Sequence, residues 1–241
     1  MNADRLDRLV LDEAGQFSLA NTSAVAASAK RILLLGDPQQ LPQVSQGIHP
    51  APVDGSALGH VIGGLAVLPD NYGYFLEESR RMDEAVTRPV SRLAYDGQLR
   101  SHASTRGRML GGIEPGLHPV PITHEGNTTS SAEEADEVVR LVEHHLGAPW
   151  TSEAGAAPTP LGEAGIIVVT PYNAQVELIR ARLDVAGHGG VEVGTVDKLQ
   201  GREAVVSIVS LAASGSRDAP PALDFVARRN PPQVPHSEPQ L

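Results

Sequence analysis

Two adjacent carboxylates, Asp12 and Glu13, stand in the segment L-V-L-D-E-A-G-Q (residues 9–16) directly after an apolar run. In open α/β sheets ligands collect beyond the carboxyl ends of strands. At such a place Asp12 can hold a Mg²⁺ ion while Glu13 orients an attacking water. Hydrolysis of a phosphoanhydride needs both tasks. Taken alone, an Asp-Glu pair is more often a solvated strand end, and it is the neighbouring residues that change the weighting. A second apolar run follows in R-I-L-L-L-G-D-P-Q-Q-L-P (residues 31–42) and ends in Gly, Asp and paired glutamines. A glutamine there can hydrogen-bond a terminal phosphate or the attacking water without adding charge, which makes Gln40 the candidate sensor and Asp37 the residue that orders the loop.

The elements that must position these residues can be read from periodicity. Apolar runs at residues 6–11, 31–35, 120–122, 166–169, 191–193 and 204–211 alternate with helical patterns, which argues for a parallel α/β sheet. Several of the runs lack strict alternation, as strands covered on both faces do. A helix is predicted over residues 131–146, opening with the capping-box spacing of Ser131 and Glu134. Another runs over residues 173–186, with Val176, Ile179 and Leu183 on one face and Gly187 closing it, and a third covers residues 83–95. Residues 43–64, 101–119 and 147–165 are rich in Gly, Pro, Ser or Thr and read as irregular. A domain boundary is placed near residue 70. The end of the chain, P-P-Q-V-P-H-S-E-P-Q-L, has too few apolar residues to continue a strand or helix and reads as disordered.

Bulk properties narrow the function classes. The chain has 241 residues, 41% of them hydrophobic, enough for a real core. With no cysteine, disulfides, thiolate zinc sites and a cysteine nucleophile are excluded. No apolar run approaches the roughly 18 residues of a membrane helix, and the charged start has no signal-peptide pattern, so a cytoplasmic address without a membrane partner is expected. The formal net charge of −10 argues against a protein that coats nucleic acid, so any such binding must use a local groove. The nine histidines show no metal-site spacing and are assigned no chemistry.

The order D-E-A-G-Q, then G-D-P-Q-Q-L-P, resembles motifs II and III of superfamily 1 helicases, in the branch that contains the nonsense-mediated-decay helicase and its replication relatives. F-L-E-E-S-R-R-M (residues 75–82) is similar to motif IV and V-G-T-V-D-K-L-Q-G-R-E (residues 193–203) to motif V, with V-T-P-Y-N-A-Q (residues 169–175) between them. The wording of the longer motifs looks most like bacterial helicase modules attached behind a RecB-like nuclease domain.

The resemblance implies an α/β fold of RecA-like parallel sheets covered by helices. Residues 1–70 would be the carboxyl-terminal part of a first core, 71–227 a second core, and 228–241 a disordered or frame-shifted tail. It implies ATP and Mg²⁺ as cofactors, and single-stranded DNA or RNA as a partner. Asp12 becomes the metal ligand, Glu13 the water-orienting base and Gln40 the phosphate sensor, while Gln16 touches the nucleotide or couples it to motif III. Arg81 becomes the guanidinium that reaches the γ-phosphate. By position alone, Arg80 and Arg81 would be a surface helix start. Gly201 is expected near the phosphates and Glu203 on the ribose, with Lys198 and Arg202 equally readable as solvated charges. Thr170 and Thr195 are expected on the nucleic-acid backbone, and Tyr172 either stacks on a base or packs under the adjacent helix.

The chain also departs from that pattern. It contains no G-x-x-x-x-G-K-[ST], the loop whose amides and lysine cradle phosphates, and neither of its lysines, Lys30 and Lys198, can stand in for it. The cradle is expected upstream, in the same gene or in a separately encoded first-half chain. L-D-F-V-A-R-R-N (residues 223–230) begins the approach to the family's last arginine motif and then breaks off. The break reads as a frame shift, a truncation or a divergent tail. The function that follows is part of an ATP-dependent helicase motor, inactive as this isolated chain. The alternative is a non-catalytic helicase-like module that holds nucleic acid or a partner.

Overall fold

Leu9, Val10 and Leu11 pair in parallel with Ile32, Leu33 and Leu34, the arrangement that a crossover connection between two strands produces. The computed structural model describes residues 5–40, 52, 53, 55–63 and 65–214. Leu41, Pro42 and the tail after residue 214 lie outside them, together with the expected disordered end and the broken arginine motif. The fold is α/β, with small parallel sheets and helices. It divides into two compact units, residues 1–102 and 103–241.

In the first unit, β1 (Leu9–Leu11) is followed by α1 (Leu19–Ala26) and β2 (Ile32–Leu34). The sequence L-A-N-T-S-A-V-A gives little helical periodicity, and α1 is set instead by Ser18, whose side chain accepts from the Asn21 amide at 3.2 Å. Next comes α2 (Ala57–Ile62), inside the stretch expected to be irregular. Here a Ser56 cap and a left-handed Gly63 enclose a turn and a half, and Leu58 and Ile62 are buried against Ala14. The unit ends with β3 (Glu78–Ser79), α3 (Glu84–Ala94) and β4 (Arg100–Ser101), β3 and β4 being parallel. Thus residues 71–102 pack in this unit. On the open face of the first sheet, Val10 and Leu33 stand side by side in register with 54% and 52% of their surface exposed.

The second unit opens with β5 (Met109–Leu110), α4 (Ala132–His145), β6 (Pro149–Thr151) and β7 (Thr159–Pro160). These three strands form an antiparallel sheet within stretches expected to be irregular. They are only two or three residues long, too short for period-two patterning to show. Then follow β8 (Ile166–Val169), α5 (Asn173–Ala186), β9 (Glu192–Gly194), α6 (Val196–Leu199) and β10 (Val206–Val209), in a parallel sheet of order β10-β8-β9. Val138 and Val142 of α4, with Val176, Ile179 and Leu183 of α5, bury one apolar face over Ile166 and Val168. The predicted strand at residues 120–122 does not form, because Pro119 and Pro121 flank Val120 and remove the donors a ladder needs. Among the described residues no helix is long and apolar enough to cross a membrane.

The start of α4 departs from the expected capping box. Ser131 Oγ accepts from the Glu134 amide at 3.2 Å, as predicted, but the Glu134 carboxylate turns inward, and the Ser131 amide donates to Gln175 Oε1 instead. Glu133 takes the polar position: its own backbone amide, the Ser131 hydroxyl and the Asn127 side chain hold its carboxyl below the ordinary range. A depressed carboxyl contributes stability above its unfolded-state pKa, and that contribution is lost as pH falls through the folded value. Ser131→Ala should therefore move the Glu133 midpoint upward in a carbon-13 NMR titration and bring the acid loosening of α4 to higher pH.

Candidate functional site

Beyond β1 the chain turns sharply at Glu13, whose φ of 53° puts a non-glycine residue in the left-handed region. Such a conformation costs about 1 kcal/mol or more and persists only where its surroundings fix it. They do so through backbone bonds: the Ala14 amide donates to the Leu35 carbonyl at 2.7 Å, and the Gln16 and Phe17 amides donate back to the Glu13 carbonyl. The turn presses on the loop after β2. A Cβ on Gly15 would lie 2.0 Å from the Asp37 carbonyl oxygen, and one on Gly36 would lie 2.7 Å from the Ala14 nitrogen. Glycine at both positions is what permits the contact.

This contact brings four of the sequence-predicted residues together. Asp12 and Glu13 are exposed, while Gln16 and Gln40 are half-buried. Gln16 Nε2 donates to Gln40 Oε1 at 3.1 Å and lies 3.5 Å from Glu13 Oε2. One side-chain amide therefore spans the two loops. Asp37 orders the second loop, its Oδ1 accepting from the Gln39 amide at 2.9 Å. Asp12 Oδ1 accepts from the Glu13 amide, which fixes the carboxylate at the strand end. Arg81 lies in the same unit, exposed, in the turn between β3 and α3, with its amide on Ser79 Oγ.

The donor set suits Mg²⁺ of the kind that ATPases use. Among the described residues no group of three or more His, Asp or Glu side chains forms a protein-only cage. One or two carboxylates plus substrate phosphates is the usual arrangement for that ion, and Asp12, exposed directly after β1, fits the place of such a carboxylate.

In the second unit Thr170, Thr195 and Ser210 follow β8, β9 and β10, so three hydroxyl residues line the carboxyl edge of the parallel sheet. Thr195 and Tyr172 are half-buried, preceding α6 and α5 respectively. Thr170 is fully buried, with no hydrogen-bond partner for its hydroxyl among the described residues, and so is closed to a ligand in this conformation. Gly201 and Glu203 are exposed beyond α6, Gly201 at a φ of 79°.

Sequence reasoning missed a buried polar network at this edge. Gln175, fully buried in the first turn of α5, accepts from the Ser131 amide at 2.7 Å and donates to the Ser131 carbonyl and to Ser210 Oγ. Ser210 donates on to Glu134 Oε2 at 2.6 Å, and Glu134 also accepts from the Ala212 amide and lies 3.0 Å from His124 Nε2. Each side chain of this network thereby has a hydrogen-bond partner within the protein, as buried polar groups require. The available signal was a glutamine facing inward on an otherwise apolar helix face.

A family profile described as an AAA domain matches residues 65–229, more than half of the chain. The chain is 31% identical over 234 residues to DNA-binding protein SMUBP-2 of Rattus norvegicus, covering 89% of this chain and 22% of that protein. It is 28% identical over 226 residues to DNA polymerase alpha-associated DNA helicase A of Schizosaccharomyces pombe, covering 89% and 33%. With the DNA replication ATP-dependent helicase/nuclease DNA2 of Gallus gallus it shares 25% over 214 residues, covering 88% and 20%. The chain thus spans about a fifth to a third of the length of these relatives.

Two consequences can be measured. Gly15→Ala should cost roughly 2–4 kcal/mol or abolish folding of the first unit, because its methyl meets backbone that cannot move aside, and urea unfolding would show this. Gln175→Leu should cost the second unit about 2–4 kcal/mol by orphaning the Ser131 backbone and Ser210, followed by fluorescence of the single tryptophan, Trp150.

Proposed function

The chain belongs to this AAA-domain family, and we propose on that footing that it is part of an ATP-dependent helicase or translocase motor acting on single-stranded DNA or RNA. The observation that carries the reading is the backbone-locked contact that sets Asp12, Glu13, Gln16 and Gln40 around one strand end. In the proposed division of labour, residues 1–70 complete a first RecA-like core, 71–227 belong to the second, although residues 71–102 pack in the first compact unit, and 228–241 are a tail. Asp12 holds Mg²⁺ and Glu13 accepts the proton of the attacking water, positioned by its strained turn. Bound Mg²⁺ supplies charge neutralisation on the phosphates. Gln16 and Gln40 form a neutral bridge that a terminal phosphate would compete for, and Arg81 provides the guanidinium for the transferred group. Gly201 and Glu203 complete the nucleotide side. Tyr172 and Thr195 take the nucleic-acid strand, and Thr170 joins them only if the edge opens.

The exposed pair Val10 and Leu33 supports a further element of the reading, that a polypeptide bearing the phosphate loop covers this sheet. That polypeptide is a first-half helicase chain or a longer form of this one, with a RecB-like nuclease domain as its neighbour in the assembly. Without the loop, the 241-residue chain binds oligonucleotide but turns over no ATP.

A fluorescein-labelled oligothymidylate or oligouridylate should bind the chain with an anisotropy change that weakens about fivefold or more in Tyr172→Ala. Adding the phosphate-loop half should give nucleic-acid-stimulated ATP hydrolysis, which Glu13→Gln lowers at least about a hundredfold in kcat with little change in KM. Binding that persists with no turnover in the assembled protein would point to the non-catalytic module instead. Absence of binding to either oligonucleotide would remove the motor reading.

A further inference from the structure

Asp37 has a second partner that its place in the loop does not explain. Its Oδ1 accepts from the Gln39 amide within the loop, but its Oδ2 accepts from the hydroxyl of Tyr95, at 2.5 Å and 58 residues away in sequence. Tyr95 caps α3 at its carboxyl end and is held there on its backbone. Its amide donates to the Ser91 carbonyl and its own carbonyl accepts from the Gln98 amide, both at 2.9 Å. The chain then reverses through Asp96 and Gly97, both at positive φ. On one side the Tyr95 ring lies beside Phe75, with centroids 6.2 Å apart. The phenol is therefore a fixed donor, and Asp37 is the joint between it and the loop.

The other end of α3 is fixed as firmly. Asp83 caps it, Ser79 Oγ accepts from the Arg81 and Met82 amides, and Ser101 Oγ donates to the Met82 carbonyl. One helix thus joins the turn that carries Arg81 to the phenol that holds Asp37. From Asp37 the connection continues to Gln40, whose amide donates to the Asp37 carbonyl at 3.3 Å and whose side chain meets Gln16.

We propose that Tyr95 is a positioning residue for Gln40. Its hydroxyl latches the loop after β2 to the end of α3, so that the sensor glutamine and the Arg81 turn move as one piece. Its meaning for ATP turnover rests on the role proposed above for Gln40; the latch itself does not, and it can be tested without nucleotide.

The test is amide hydrogen exchange on the 241-residue chain, read residue by residue by NMR. Tyr95→Phe removes one oxygen and keeps the ring against Phe75. Exchange at Gln39 and Gln40 should accelerate about tenfold, the scale expected for losing a hydrogen bond to a carboxylate, while the Tyr95 amide and β1 and β2 stay as in the wild type. Phe75→Leu, which disturbs the ring but leaves the hydroxyl, should change Gln39 and Gln40 by less than about twofold. Should Tyr95→Phe not fold, Asp37→Asn keeps an acceptor for the Gln39 amide, takes the carboxylate from the phenol and should give the same local acceleration. Unchanged exchange at Gln39 and Gln40, uniform acceleration through the first unit, or an equal effect of Phe75→Leu would each overturn the latch. Failure of the nucleotide reading has a different record, an assembled motor indifferent to Glu13→Gln.

Discussion

The Ala14 amide meets the Leu35 carbonyl at 2.7 Å, and the Leu35 amide meets the Leu11 carbonyl at 2.8 Å. With these two bonds the parallel pairing of β1 and β2 extends past the strands and into the turns that follow them. Backbone groups at that depth need partners, and here each loop supplies the other's. Gly15 and Gly36 matter because backbone can approach backbone this closely only where no Cβ intervenes. The arrangement around the end of β1 follows from the approach: the strained Glu13, the Gln16 to Gln40 bridge, and Asp37 turned so that one oxygen serves its own loop and the other serves Tyr95.

The second unit solves a different problem. Its parallel sheet ends in hydroxyl residues, and Glu134, reached by Ser210 from the first turn of α4, lies almost wholly within the protein. A charge so placed is tolerated only when enough donors surround it, and Ser210, the Ala212 amide and His124 do so. Gln175 extends the network to the start of α4, so the segment after β10, the first turn of α5 and the cap of α4 are tied to one another. Thr170, whose hydroxyl has no partner among the described residues, is enclosed by the fold, whereas Thr195 keeps part of its surface open.

Local signals were legible where several agreed. For α4 a serine cap, acidic first turn and apolar spacing coincide, and for α5 the stripe of Val176, Ile179 and Leu183 ends at Gly187. They failed where an element is shorter than its period, as in β5 to β7, or where a cap outweighs composition, as Ser56 and Gly63 do for α2. At residues 120–122 the apolar pattern was present and the prolines overrode it. For Ser131 and Glu134 the spacing gave half the motif, because a buried network offered the Glu134 carboxylate more donors than the cap did.

By itself the sequence determined where the residue types able to do such chemistry stand, Asp12, Glu13, Gln16, Gln40 and Arg81 among them, and the order of most of the strands and helices around them. Those are local properties, set by side-chain type and by periods of two and 3.6 residues. Tertiary structure alone decided that Gly15 lies against Asp37, that Tyr95 reaches the same aspartate, and that Gln175 joins Ser131 to Ser210 across separations of 44 and 35 residues. Periodicity tells which face of an element turns inward. It does not tell which group from a distant element will be there to accept or donate, since that depends on how the whole chain closes and on every buried polar atom finding a partner.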